Sequence, residues 1–344
     1  MKYTDIQVFP ICRIIFQMAI DKENAAIYNK YGINNEIIKL IGECWEEYKE
    51  SKEIATITGE LLRVVFTLTM SLGPLENGEP KQPTSQQNEE CILLLHLYSN
   101  LITIPITIDN YAILTTIVNC LINIPVNLYL NQIPKSTLQN LLNILYFQIN
   151  LINNKTERTI TPEDMVPTLM LLSIIAKHDK NARNYIREIG IPNYNDDLVV
   201  SVEGPKHESI DSLVTKLKPF ITSVNPALKY YVQETFFVLC DEDPNQYVRL
   251  LGFGNASGLL MERQLFGSMT NSSSNNNIPS SSPSSTTTNN TTSNTTINNS
   301  TNKNNKNEDI NNNDVNDDED EDSYDSQDER DAAELSMFDN IIIK

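Results

Sequence analysis

The chain is 344 residues long and strongly acidic, with 45 acidic against 26 basic residues and a net charge of −19. That sign excludes non-specific nucleic-acid binding, which needs Lys/Arg patches against phosphate, and suits a partner with a basic surface. The charge is uneven: 15 of the acidic and 4 of the basic residues follow Asn271, so the tail holds −11 and the body −8.

Residues 6 to 20 repeat apolar side chains at helical spacing and predict a first helix. Asp5 and Pro10 interrupt the apolar core that a secretory signal needs. The expected location is therefore the cytoplasm, with recruitment to the cell cortex as a further expectation, and the Asn-x-Ser/Thr sequons of the tail are expected to stay unglycosylated. A short helix over 21–31, stopped by Gly32, and a longer one over 33–49 follow. Helix, short helix, longer helix in roughly 40 residues is the armadillo rhythm. Residues 58–72 form the next amphipathic helix, with Leu61, Leu62, Val65, Phe66 and Leu68 on its apolar stripe and Arg63 and Thr67 off it. A Gly/Pro-rich loop over 73–85 reads as an insertion between repeats.

The stretch 91–154 is the most apolar part, and the run 111–130 is long enough to cross a bilayer. Asn119, Asn123, Pro125 and Asn127 stand inside that run, and no Lys/Arg cluster flanks it. Three buried helices in mid-solenoid are the better reading, a membrane-embedded bundle the rival. Thr161-Pro162-Glu163-Asp164 starts a helix that ends near His178, with Thr as N-cap and acids against the dipole. Residues 181–189 give a short helix before Gly190, 196–206 a loop, and 209–221 another helix. From Pro226 a helix carries Val232, Phe236, Phe237, Leu239 and Cys240 inward, with Lys229, Gln233 and Glu234 on its polar side. Asp241–Pro244 breaks it, Gly252 and Gly254 turn the chain, and a last helix spans 256–266.

Beyond Gly267 the pattern changes. Residues 268–306 are nearly all Ser, Thr and Asn and read as a disordered linker. An acidic segment spans 307–330, and 331–344 offers a short amphipathic helix with Leu335, Phe338 and Ile342 at i, i+3, i+7. The predicted architecture is an all-α, armadillo/HEAT-type solenoid over 1–267 with a disordered acidic C-terminal tail. Ser323 and Ser326 lie among acids, a setting that acid-directed kinases favour, and phosphate there would add roughly −2 per site.

Catalytic constellations are missing. Five cysteines (Cys12, Cys44, Cys91, Cys120, Cys240) stand singly among apolar neighbours, which favours buried thiols over a zinc or redox site. His96, His178 and His207 are far apart. GFGNASG follows a helix, not a strand, so it fails as a dinucleotide loop. The acids of 318–329 mimic a calcium loop, yet Ser323 replaces the required glycine. No metal or cofactor is expected, and no bond-making activity. The polar positions Arg63, Asn119 and Asn123 are expected to line a groove for a helix or peptide, and the chain is expected to be a monomer.

Several strings, in their shared order, resemble the synembryn family: ICRIIFQMAI with GINNEIIKLI, GELLRVVFTLT, IVNCLINIPVNL, EDMVPTLMLLSIIAKHDKNARNYIREIGIP, FFVLC with GFGNASGLL, and finally AAELSMFDNI. The resemblance implies a chaperone and guanine-nucleotide exchange factor for heterotrimeric G-protein α subunits. It implies that Arg63, Asn119 and Asn123 face the C-terminal helix of Gα, while Leu335 and Phe338 of the tail helix contact the nucleotide domain. By the same resemblance the chain starts part-way through the family's solenoid, without its N-terminal repeats, and Thr67 stands where an armadillo groove helix often has Asn. An alternative is an armadillo scaffold that binds Gα or another helix without exchange activity.

Overall fold

Side-chain caps and prolines set most helix boundaries. The structure, a computed structural model, describes residues 5–70, 75–76, 79–80, 84–130, 132–154, 160–191, 194 and 212–265. All of these lie in the first of the chain's two units, Met1–Met269. The helices are α1 (Asp5–Ala19), α2 (Lys22–Lys30), α3 (Ile33–Ser51), α4 (Thr56–Thr69), α5 (Ser85–Leu101), α6 (Ile108–Ile122) and α7 (Lys135–Asn154). They continue with α8 (Val166–His178), α9 (Lys180–Gly190), α10 (Leu213–Leu217), α11 (Pro226–Leu239), α12 (Pro244–Leu251) and α13 (Phe253–Glu262). The only strands among the described residues are a two-residue antiparallel ladder, Leu75–Glu76 against Glu79–Pro80. The fold is all-α, as expected.

Asp21, Thr107, Asp179, Asn225 and Asp243 each accept a backbone N–H at the start of α2, α6, α9, α11 and α12, satisfying donors that a helix start leaves open. The structure departs from the sequence expectation where such signals were missed. Thr84 and Gln87 form a capping box, so α5 begins at Ser85 rather than near Cys91. The apolar run 111–130 is not one span: α6 stops at Ile122, and Pro125 leads into a 3-10 turn at Val126–Leu128. No described helix is long and apolar enough to cross a membrane. Pro219 shortens the helix expected over 209–221 to the five residues of α10 plus a 3-10 turn, Lys218–Phe220. Of Gly252 and Gly254, Gly252 alone takes a positive φ (80°), and α13 starts directly after it, so Gly254 lies inside the helix rather than in the turn. The linker 268–306, the acidic segment 307–330, the segment 331–344 and the loop 196–206 lie outside the described residues.

Helix α1 packs on α4, α4 on α6, α6 on α8, and α8 on α11. Each member of this row meets chiefly the one before and the one after, which is the packing order of a helical solenoid. A second row covers it from one side: α3 lies on α4, α5 on α6, and α7 and α9 on α8. Consequently α4 and α8 are buried nearly all round, and their cores (Leu61, Leu62, Val64 and Val65; Leu169, Leu171, Leu172 and Ile175) have almost no exposure.

Candidate functional site

The inner row keeps one strip open to solvent. On α4 only Thr56, Gly59 and Arg63 escape burial, and on α6 the corresponding openings are Ala112, Thr115, Thr116 and Asn119. On α8 Lys177 is exposed, and on α11 Lys229 is exposed and Tyr230 half-buried. Gly59 faces α6, where a Cβ would meet the Ile113 side chain at an ordinary contact distance of 3.8 Å, so the crossing does not depend on a glycine.

Charged residues pin this row at its two ends. Glu60 of α4 is 6% exposed; it pairs with Arg63 one turn along at 2.7 Å and with Arg13 of α1 at 3.7 Å. Glu234 of α11, also 6% exposed, pairs with Arg263 of α13 and lies 3.9 Å from Lys177 of α8. Burial, the largest influence, works against the Arg263 charge, but Glu234 and Tyr230 together outweigh it and hold the guanidinium above its ordinary value. Periodicity places Gln233 and Glu234 on the polar side of their helix. The structure buries both, because α13 folds back over that side.

Arg63 is half-exposed and held by Glu60. Asn119 is half-buried, with its Oδ1 covered and without a hydrogen-bond partner. Asn123 is fully buried instead of lining a surface. Its Nδ2 donates to the Phe66 carbonyl at 2.8 Å and to Thr69 Oγ1 at 3.2 Å, so it ties the end of α6 to the end of α4. Thr67 spends its hydroxyl on the Arg63 carbonyl within its own helix. Leu335, Phe338, Ser323 and Ser326 lie outside the described residues.

Sequence reasoning missed a second cationic cluster. Arg183 and Arg187 of α9 hold the two carboxylate oxygens of Asp241 at 2.9 and 2.7 Å, and Arg187 Nε donates to the Leu239 carbonyl at 2.7 Å. Asp241 and Glu242 both sit at φ +57°, so the arginines fix a turn the backbone resists. Their spacing, i and i+4 on a strongly amphipathic helix, was the available signal. Four of the five thiols are held protonated: burial pushes Cys91, Cys120 and Cys240 up to about 12 and Cys12 up to about 11. Cys44 alone is only partly buried. What the strip offers is paired charge and amide groups along packed helices, a surface suited to holding a helix or peptide.

A family model described as guanine nucleotide exchange factor synembryn matches residues 2–335. The chain belongs to the synembryn family. Among curated relatives, Chaperone Ric-8A of Danio rerio is 31% identical over 103 residues, covering 30% of this chain and 18% of that protein. Chaperone Ric-8A of Gallus gallus is 32% identical over the same shares, and Chaperone Ric-8B of Mus musculus is 30% identical, covering 30% and 19%. The stretch shared with these synembryn relatives thus spans less than a fifth of their length. A solved engineered protein superposes with a TM-score of 0.39 and 12% identity over 75% of this chain and 81% of that one, a likeness too loose to carry an argument.

Proposed function

We propose that this chain binds heterotrimeric G-protein α subunits and acts on them as chaperone and guanine-nucleotide exchange factor. The observation that carries the reading is the synembryn family match across residues 2–335. The strip formed by Arg63 and Asn119 receives the C-terminal helix of Gα, with Asn123 holding α4 and α6 in register beneath it. In the tail, Leu335 and Phe338 form a second contact, and Ser323 and Ser326 are sites for an acid-directed kinase. The work takes place in the cytoplasm.

The mechanism is non-covalent. Binding that prefers the open, nucleotide-free form of Gα weakens GDP by the same coupling free energy, so GDP leaves. The same grip covers apolar surface on a newly made subunit. A second reading, binding without exchange, is favoured by the short stretch shared with curated relatives.

The test is GDP release from purified Gα with and without the full chain, beside a pull-down. Accelerated release that falls about tenfold in Arg63→Ala, at unchanged helix content, supports exchange. Retained pull-down without acceleration leaves the second reading, and loss of both overturns the proposal.

A further inference from the structure

Helix α4 carries one carboxylate, Glu60, and it stands among Leu61, Leu62, Val64 and Val65, which have almost no exposure. Arg63 Nη1 donates to Glu60 Oε1 at 2.7 Å. The other oxygen, Oε2, is covered and takes no hydrogen bond, with Arg13 of α1 at 3.7 Å. A carboxylate is costly to bury, and apolar side chains in place of such a pair are often neutral or stabilising. Stability alone therefore does not account for Glu60. The second buried glutamate gives the contrast. Glu234 has Arg263 of α13 as its closest cation, while Lys177 of the strip lies 3.9 Å away and is shared with Glu242 at 3.6 Å. Glu234 ties one helix to another, whereas Glu60 makes its closest contact with a strip residue of its own helix.

We propose that Glu60 is a positioning residue: it holds the Arg63 guanidinium at the strip, ordered in advance for an oxygen acceptor on the bound partner. The proposal rests on the reading that this strip receives Gα. An arginine carries five N–H donors in a rigid fork. Among the described residues Arg63 spends only Nη1, on Glu60, and its side chain stays 39% exposed. Nε and Nη2 are thus left for a partner. Ordering a long side chain during association costs affinity, and a side chain ordered beforehand avoids that cost. The anchor is itself well fixed, because Glu60 lies on a helix buried nearly all round and Arg13 balances its second oxygen. Removing the Glu60 charge also unmasks positive charge, which works the other way for an anionic partner. That part is screened by salt, whereas the loss of order is not.

The experiment is a double-mutant cycle on the Kd for purified Gα, with the full chain at high salt and helix content checked by circular dichroism. Glu60→Gln should weaken binding about three- to tenfold in the wild-type background and not at all beside Arg63→Ala. Glu234→Gln is the control, and any loss it causes should be the same in both backgrounds. Should Glu60→Gln lower helix content, Glu60→Asp keeps the charge, draws the carboxylate back by one methylene and reads the same coupling. Equal losses from the Glu60 substitution in both backgrounds overturn the proposal, because the residue then acts through the fold rather than through Arg63. Unchanged or tighter binding of Glu60→Gln overturns it as well, as does a Glu234→Gln loss that vanishes beside Arg63→Ala. Gα that binds the wild type but shows no such coupling sinks this inference alone. Gα that never binds sinks the reading of the strip with it.

Discussion

The two ends of the inner row are built differently. At the C-terminal end α11 is backed by α8 and by parts of α9, α12 and α13, and Phe237 packs edge-on against Tyr247 and under the Arg263 guanidinium. Its turn is held by two arginines on one carboxylate. At the N-terminal end α1 covers α4 from one side and leaves its other side in water. In a quasi-one-dimensional stack, stability is approximately a sum of local and nearest-neighbour terms. The difference between the ends therefore predicts a gradient: α8 to α13 open last, and α1 and α2 fray first.

The largest expected effect breaks or confirms that gradient directly. Phe236 of α11 has no exposure, and Phe236→Ala should destabilise the chain by about 3–5 kcal/mol, through lost burial plus a cavity its surroundings cannot fill. Phe16 of α1 is 7% exposed but sits in a helix with one free side, which can shift to close the space. Phe16→Ala should cost about 1–3 kcal/mol. Urea unfolding followed by circular dichroism measures both, and equal losses would remove the proposed gradient.

A smaller effect separates the two buried glutamates. Arg263→Ala leaves Glu234 buried with only Lys177, 3.9 Å away and half in water, and removes the cation over the Phe237 ring. Stranding a buried carboxylate is expensive, so a loss of about 2–3 kcal/mol is expected, with amide exchange speeding up in α13 before α8. Adding Glu234→Gln should recover part of it, since the amide no longer needs a cation. If the double variant is as unstable as the single one, packing of the arginine stem rather than charge holds α13.

How much of this was legible in the sequence varies with the range of the interaction. Local signals worked: Thr161 does cap the start with Pro162 in the first turn, at a 3-10 turn leading into α8, Asp241 to Pro244 does break α11 from α12, and the Asn- and Pro-interrupted run is helical pieces rather than a span. Helix rotation did not. Asn123 and Glu234 are polar, so periodicity faces them outward, yet partners distant in sequence, Phe66 and Thr69 for one and Arg263 for the other, draw them in. Burying such groups is tolerable only once those partners are in place, and a single helix does not display them. The same limit hid the Arg183–Asp241–Arg187 clamp, whose members lie on separate elements.

The smallest effect is the sharpest probe of the open end. Arg13 reaches Glu60 at 3.7 Å from a helix face half in water (51% exposed), and such pairs contribute about 0–1 kcal/mol. Glu60 keeps the closer Arg63 when Arg13 is lost, unlike Glu234, whose closest cation is Arg263 itself. Arg13→Ala should therefore change stability by less than about 1 kcal/mol, and the small loss should shrink further in high salt. Thermal unfolding at low and high salt reads both. A loss as large as that of Arg263→Ala would mean that α1 is anchored by charge rather than by Cys12, Phe16 and Ala19. The side of α1 left in water would then no longer mark a weakly held helix, and the two ends would be alike in kind.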